Sequence, residues 1–139
     1  MELIRADPDP LDSVIEECLR LMPPARGFVR TATADVELAG VPVRAGQRVY
    51  MLYPAANRDP EHFTSPDRFE AGRPQAYGHA SFGFGAHFCL GAGLARMEAK
   101  ALFTELISRY GSIRLAGTPT RYEHVQLNGW ATLPVTLHR

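Results

Sequence analysis

What the chain lacks narrows it first. Its 15 basic residues balance its 15 acidic ones and leave no net charge. Without a field of either sign, binding to nucleic acid or to an anionic membrane surface is not expected. Lysine is nearly missing: Lys100 is the only one, and arginine supplies the other basic residues. No apolar run reaches the roughly 18 residues that a membrane-spanning helix needs. The first residues carry Glu2, Asp7 and Asp9 and no long apolar segment, so a signal peptide is not expected. Cysteine is scarce as well. Cys18 and Cys89 stand far apart in unlike patterns, which speaks against a structural disulfide and fits a reducing cytoplasm. What remains is an ordinary soluble composition over 139 residues, enough for one domain that buries about 68–70% of its unfolded surface.

The informative stretch is Ser81-Phe82-Gly83-Phe84-Gly85-Ala86-His87-Phe88-Cys89-Leu90-Gly91-Ala92-Gly93. Its glycines do not suit the interior of a helix or strand, because glycine loses the most backbone entropy on ordering. They mark a chain that turns tightly or passes close to something flat or bulky. Phe82 and Phe84 sit among them, so the loop is shielded. Cys89 comes where the loop gives way to a helical pattern, and unpaired N–H groups at a helix start stabilise a thiolate. A nucleotide-binding glycine loop fails on spacing, since Phe88 stands where its third glycine belongs and no Gly-Lys-Ser/Thr follows. A zinc site on His79, His87 and Cys89 lacks the usual paired ligand spacing. A Cys-His nucleophile has no local signature. A buried cysteine in a glycine-rich turn remains the plain alternative.

The run from Phe82 to Gly91 resembles the haem-ligand loop of the cytochromes P450, which are haem-thiolate monooxygenases. The resemblance implies an α+β architecture, the C-terminal part of the cytochrome P450 fold. That part comprises a Glu-x-x-Arg helix, small antiparallel sheets, a meander, the Cys-ligand loop, a long final helix and a β-hairpin tail. Residues 1–139 are then a single partial domain. The implied cofactor is haem b (iron-protoporphyrin IX), with Cys89 as the axial ligand of its iron and as the catalytic residue. A thiolate there pushes electron density onto iron and favours O–O cleavage. Gly83, Gly85 and Gly91 let the loop pass close under the porphyrin, and Phe82 packs beside the ligand. His87, His79 and Arg30 are the implied partners of the haem propionates. The bland reading of either histidine is an exposed side chain, and of Arg30 a solvated strand arginine.

Along the chain, Asp9-Pro10 reads as an N-cap followed by proline at the first helical position. Leu11, Val14, Ile15, Cys18, Leu19 and Met22 recur at helical spacing, and Pro23-Pro24 stops the helix. Cys18, on that stripe, reads as a small buried hydrophobe. Glu17 and Arg20 lie off it, three apart; taken alone they are an exposed ion pair worth about 0.2–0.5 kcal/mol. The resemblance makes them instead a buried brace completed by a later arginine, for which Arg68 is the first candidate and Arg73 the second. Phe28–Thr33, Asp35–Leu38, Val41–Val43 and Arg48–Leu52 read as short strands joined by turns at Ala39-Gly40 and Ala45-Gly46, with Pro42 on an edge strand. Tyr53–Arg73 reads as a long loop and resembles the meander. After Gly91 come two apolar stripes, Ala95, Ala99, Leu102, Phe103, Leu106 and Tyr110, and Leu90, Leu94, Met97 and Ala101, which predict a helix buried on both sides and ended by Gly111. The tail predicts strands at Ser112–Leu115 and within Val125–Leu137, with a turn at Leu127-Asn128-Gly129-Trp130.

The resemblance covers only the C-terminal third of the family. The long helix with an acid-Thr or Thr-Thr pair, which supplies the distal wall and proton path, has no counterpart here. Two functions follow as expectations. One is a monooxygenase that inserts one oxygen atom from O2 into a small organic substrate, fed by a ferredoxin and its reductase and located in the cytoplasm. Arg96 and Lys100 would then contribute to the donor's docking patch. The other is a non-catalytic remnant that binds haem weakly or not at all.

Overall fold

The computed structural model describes residues 10–74 and 76–139. Helix α1 (Leu11–Leu21) begins after Pro10, whose carbonyl accepts the Val14 amide at 2.9 Å and the Ser13 hydroxyl at 2.8 Å. The expected cap, Asp9, and the acidic residues Glu2 and Asp7 lie outside the described residues. The helix stops at the two prolines, which offer no amide to continue it.

The side that α1 buries is not the side its apolar spacing predicts. Leu11 and Ile15 are buried, but so are Glu16, Glu17 and Arg20. Val14 and Leu19 are half-buried, and Cys18 and Met22 are exposed. Cys18 is therefore not the buried small hydrophobe that its place on the stripe predicts. It lines an open apolar groove of about 450 Å³ together with Val14, Met22, Phe103 and Ile113. In that setting burial, followed by the nearby Glu17 charge, raises its thiol above the ordinary value.

Among the described residues, four two-stranded antiparallel ladders carry the rest. Strand β1 (Gly27–Thr31) pairs with β4 (Arg48–Leu52), setting Phe28 opposite Met51 and Arg30 opposite Val49. Between them, β2 (Val36–Leu38) pairs with β3 (Val41–Val43) through the Ala39-Gly40 turn. Both turn residues have positive φ, 48° and 80°, the combination that a two-residue hairpin of right-handed twist requires. The tail forms β5 (Ser112–Leu115), β6 (Thr120–Arg121), β7 (Trp130–Thr132) and β8 (Val135–His138), with β5 on β8 and β6 on β7. Leu127 makes a single bridge to Ala25.

The stretch expected as one long loop opens with a helical turn, α2 (Tyr53–Ala56), and continues as linked turns through Arg73. The last helix, α3 (Ala92–Arg109), follows the cysteine loop. It is not buried on both sides within this chain. Ala92 is its one buried residue, while Leu94, Met97, Leu102 and Phe103 are exposed. Gly111 is not a left-handed cap either. Tyr110 leaves the helix extended, and the Gly111 amide goes to the His138 carbonyl at 2.6 Å.

Candidate functional site

The loop from Ser81 to Gly91 is tied to α1 from beneath. Asn57, fully buried, donates to the Arg20 carbonyl and to Ser81 Oγ, both at 2.9 Å. Its own Oδ1 accepts the Ala80 amide at 2.6 Å. Ser81 Oγ in turn donates to the Leu19 carbonyl at 2.7 Å. The loop then folds back on itself. Gly83 (φ 71°) and Gly85 (φ 63°) take left-handed conformations that cost other L-residues about 1–2 kcal/mol. A Cβ on Gly83 would also stand 3.2 Å from the Tyr53 hydroxyl. These two reversals let the Cys89 amide donate to the Phe82 carbonyl at 2.8 Å. A single 3-10 turn (Gly85–His87) bridges the gap. The Cys89 carbonyl accepts the Ala92 amide at 3.2 Å, and Gly91 occupies the position just before α3.

This geometry leaves Cys89 a free, exposed cysteine. It opens onto a cavity of about 370 Å³ lined by Ala25, Phe28, Arg30, Tyr53, Ser81, Phe82, His87 and Cys89. Three of the expected site side chains, Arg30, Phe82 and His87, thus share one cavity with the sulfur. Arg30 and His87 are exposed, and the Arg30 guanidinium donates to the Val29 carbonyl at 3.2 Å. Among the described residues no group of three His, Cys, Asp or Glu side chains is placed to hold a metal ion. The zinc alternative on His79, His87 and Cys89 therefore has no geometric support.

His79 is not with the others. It is buried at 5%, and its Nδ1 accepts the Ser81 amide at 3.1 Å. Its Nε2 lies 3.2 Å from Glu16 Oε2 but makes no hydrogen bond. The ring lies buried beneath the loop and outside the lining of the Cys89 cavity, so it is not the exposed side chain that its plain reading suggests.

Beneath the loop, Glu17 and Arg20 form a fully buried bidentate pair, Nε to Oε2 at 2.7 Å and Nη2 to Oε1 at 2.8 Å. The exposed-pair reading is overturned. The third member is Arg73, whose Nε donates to Glu17 Oε1 at 3.0 Å. Arg68, the first candidate, is corrected to a backbone role: its carbonyl accepts from Arg20 Nη2 at 3.2 Å and Arg73 Nη2 at 2.9 Å, and the residue itself is exposed. Arg73 also donates to the Thr64 carbonyl, and Arg20 Nη1 to the Asn57 and Pro66 carbonyls. Burial alone would raise the Glu17 carboxyl. Hydrogen bonds from Arg20, Arg73 and the Glu70 amide outweigh it and hold the group below its ordinary value.

Sequence reasoning passed over a second buried carboxylate. Glu16, 2% exposed, accepts from Arg96 Nε at 2.5 Å and Nη2 at 2.8 Å. Burial pushes its carboxyl up, but Arg96 and then His79 win and set it at about 2. Lys100 pairs with Asp12 at 2.8 Å. The two cations expected to form a docking patch are therefore each matched by an acid on α1. Asn57 and Ser81 were missed as well. The available signal was their type, since a buried amide or hydroxyl beside a glycine loop has to find partners.

Comparisons with known proteins place the chain in a family. A sequence profile of the cytochrome P450 family matches residues 9–127. The chain belongs to the cytochrome P450 family. It is 42% identical over 134 residues to the biotin biosynthesis cytochrome P450 of Bacillus subtilis, covering 96% of this chain and 34% of that one. It is 41% identical over 120 residues to cytochrome P450-terp of a Pseudomonas species, covering 86% and 28%. Cytochrome P450-153 from Novosphingobium aromaticivorans superposes with a TM-score of 0.94 at 38% identity, over 99% of this chain and 35% of that one. The crystal structure of P450BioI in complex with acyl carrier protein ligated to hexadec-9Z-enoic acid gives 0.92 at 40% identity, over 97% and 35%. The mixed helix-and-ladder architecture is thus that of the P450 fold, and the chain spans about a third of the length of the curated relatives it matches (31% and 34%). Among the described residues no helix is long and apolar enough to cross a membrane.

Proposed function

We propose that residues 1–139 form the haem-thiolate part of a P450 monooxygenase, a single partial domain in which Cys89 is the axial ligand of haem iron. The observation that carries this is the shared cavity: a free cysteine with Phe28 and Phe82 as apolar walls and Arg30 and His87 as polar neighbours. A haem presents a flat apolar ring, an iron that wants a soft axial donor, and two carboxylates, and these residues suit each in turn. When bound, the haem would supply the activation of O2 for insertion of one oxygen atom into an organic substrate. The chain's own residues do the rest. Cys89 would hold the iron through its sulfur, and Arg30 and His87 would orient the ring through its carboxylates. Phe82 covers the sulfur's flank, and Gly83, Gly85 and Gly91 keep side chains out of the approach. Glu17, Arg20 and Arg73 hold the floor. A ferredoxin with its reductase is the proposed electron donor, and a reducing cytoplasm, where both cysteines stay thiols, the proposed setting.

A second reading, a chain that holds haem weakly by itself and does not turn over, is favoured by the open apolar groove between α1 and α3 and by Leu90, fully exposed beside Cys89. One experiment separates the two: the CO-difference spectrum of the haem-reconstituted, dithionite-reduced chain, compared with Cys89→Ser and Cys18→Ser. A strongly red-shifted Soret band in the parent chain and in Cys18→Ser, absent from Cys89→Ser, supports ligation by Cys89. Equal loss in both variants refutes it, and no band in the parent chain supports the second reading.

A further inference from the structure

Phe82 is the hinge of the cysteine loop, because its carbonyl is the acceptor for the Cys89 amide. Its ring is half-buried and is held from three sides. The Arg96 guanidinium carbon lies 4.5 Å above the ring centroid, the His79 ring is 5.8 Å away, and Phe88 is 6.3 Å away. The first two neighbours share an anchor. Glu16 takes both forks of Arg96 and sits 3.2 Å from His79 Nε2. Glu16 belongs to α1 and Arg96 to α3, so one carboxylate fixes, across two helices, the guanidinium that covers Phe82, and lies beside the His79 ring. A docking cation would be long, solvated and unpaired. Arg96 has a side chain only 32% exposed and is committed to a carboxylate that is 2% exposed.

We propose that Arg96, oriented by Glu16, is a positioning residue for Cys89: it clamps the face of Phe82 and thereby fixes the backbone that carries the sulfur. Its consequence for the haem rests on the ligand reading above; the clamp itself does not. Arginine suits this place because its planar fork meets the carboxylate edge-on while its face lies on the ring, and lysine does neither.

The test is hydrogen exchange at the Cys89 amide in the haem-free, full-length chain, for Arg96→Lys, Arg96→Gln and Lys100→Gln. Arg96→Lys keeps the charge opposite buried Glu16, so it carries the test even where Arg96→Gln fails to fold. The Ala116 amide, which donates to the Pro134 carbonyl at 3.0 Å at the end of the β5–β8 ladder, reports whether the fold is intact. Loss of a partly desolvated stacking contact and fork predicts about tenfold faster exchange at Cys89 in Arg96→Lys, with Ala116 unchanged. Lys100→Gln breaks a neighbouring α1–α3 ion pair and leaves Cys89 at the parent rate. Exchange at Cys89 within about twofold of the parent in Arg96→Lys, or an equal rise in Lys100→Gln, overturns the clamp. The haem-loaded chain gives a separate reading. Arg96→Lys lowers the share of the red-shifted Soret band relative to the parent. A parent chain with no such band supports the reading that it holds haem weakly by itself and leaves the clamp to be decided by exchange alone.

Discussion

Replacing Glu17 by alanine separates a brace from an ornament. An exposed pair three residues apart on a helix is worth about 0.2–0.5 kcal/mol. Glu17 is not such a pair: both oxygens are fully buried and accept from Arg20, Arg73 and the Glu70 amide. Truncation leaves two arginines at 0% and 2% exposure facing each other without their carboxylate. Their carbonyl partners at Asn57, Pro66, Thr64 and Arg68 survive, so the hydrogen bonds are mostly kept and the charge is not. Removing one partner from a buried pair costs about 3–5 kcal/mol, which is a large part of the 5–15 kcal/mol that holds a typical domain folded. In urea, with a slope of about 1–3 kcal/mol per molar, the midpoint falls by about 1–5 M. Glu105→Ala is the internal control. Glu105 pairs with Arg109 four residues on, with both side chains more than half exposed, and its loss moves the midpoint by about 0.5 M or less. Circular dichroism and Trp130 fluorescence must report the same transition for both variants. Equal midpoints for Glu17→Ala and Glu105→Ala refute the buried brace.

Four further outcomes are expected. Arg73→Ala destabilises about as much as Glu17→Ala, whereas Arg68→Ala, which keeps the carbonyl that Arg20 and Arg73 use, stays within about 0.5 kcal/mol of the parent in the same urea titration. Glu16 has its carboxyl held at about 2 against an ordinary 4.5. Its contribution, about 3 kcal/mol, is therefore present above about pH 4.5 and lost as pH falls through about 2, so acid unfolding of Glu16→Gln is shallower than the parent's across that window. Gly83→Ala strains the loop by about 1–2 kcal/mol through its positive φ and crowds the Tyr53 hydroxyl, whereas Gly85→Ala, with open space around it, pays only the backbone part; thermal melts of the two rank them. In the CO-difference spectrum, Cys18→Ser matches the parent and Cys89→Ser loses the red-shifted band.

Some of this was open to reading from the sequence, because the information is local. The cysteine loop is specified by residue types within ten positions, and its two left-handed turns fall on glycines. The four strands before Tyr53 follow their turn residues. The choice between Arg68 and Arg73 is different in kind. Both stand in a turn-rich segment, and which one faces inward depends on reversals such as Ser65 at φ 47° and the Arg73 amide bonding back to Glu70. Neither is written in side-chain spacing. Likewise nothing near Asn57 announces that its amide will bridge α1 to the residues ahead of Phe82. Its partners lie 23 to 37 positions away.

Helix α1 shows why the apolar stripe misled. A stripe predicts burial only when the chain that carries it also supplies the surface that covers it. In α1 the charged face finds all its partners within the chain: Glu17 with Arg20 and Arg73, Glu16 with Arg96 and His79. Those charges are tolerable inside because each is matched and hydrogen-bonded. The apolar face meets only part of α3 and β5 and stays an open groove. Polar pairing is directional and is completed by a few specific groups, whereas covering a stripe needs area. A chain can therefore bury its charges before its hydrophobes.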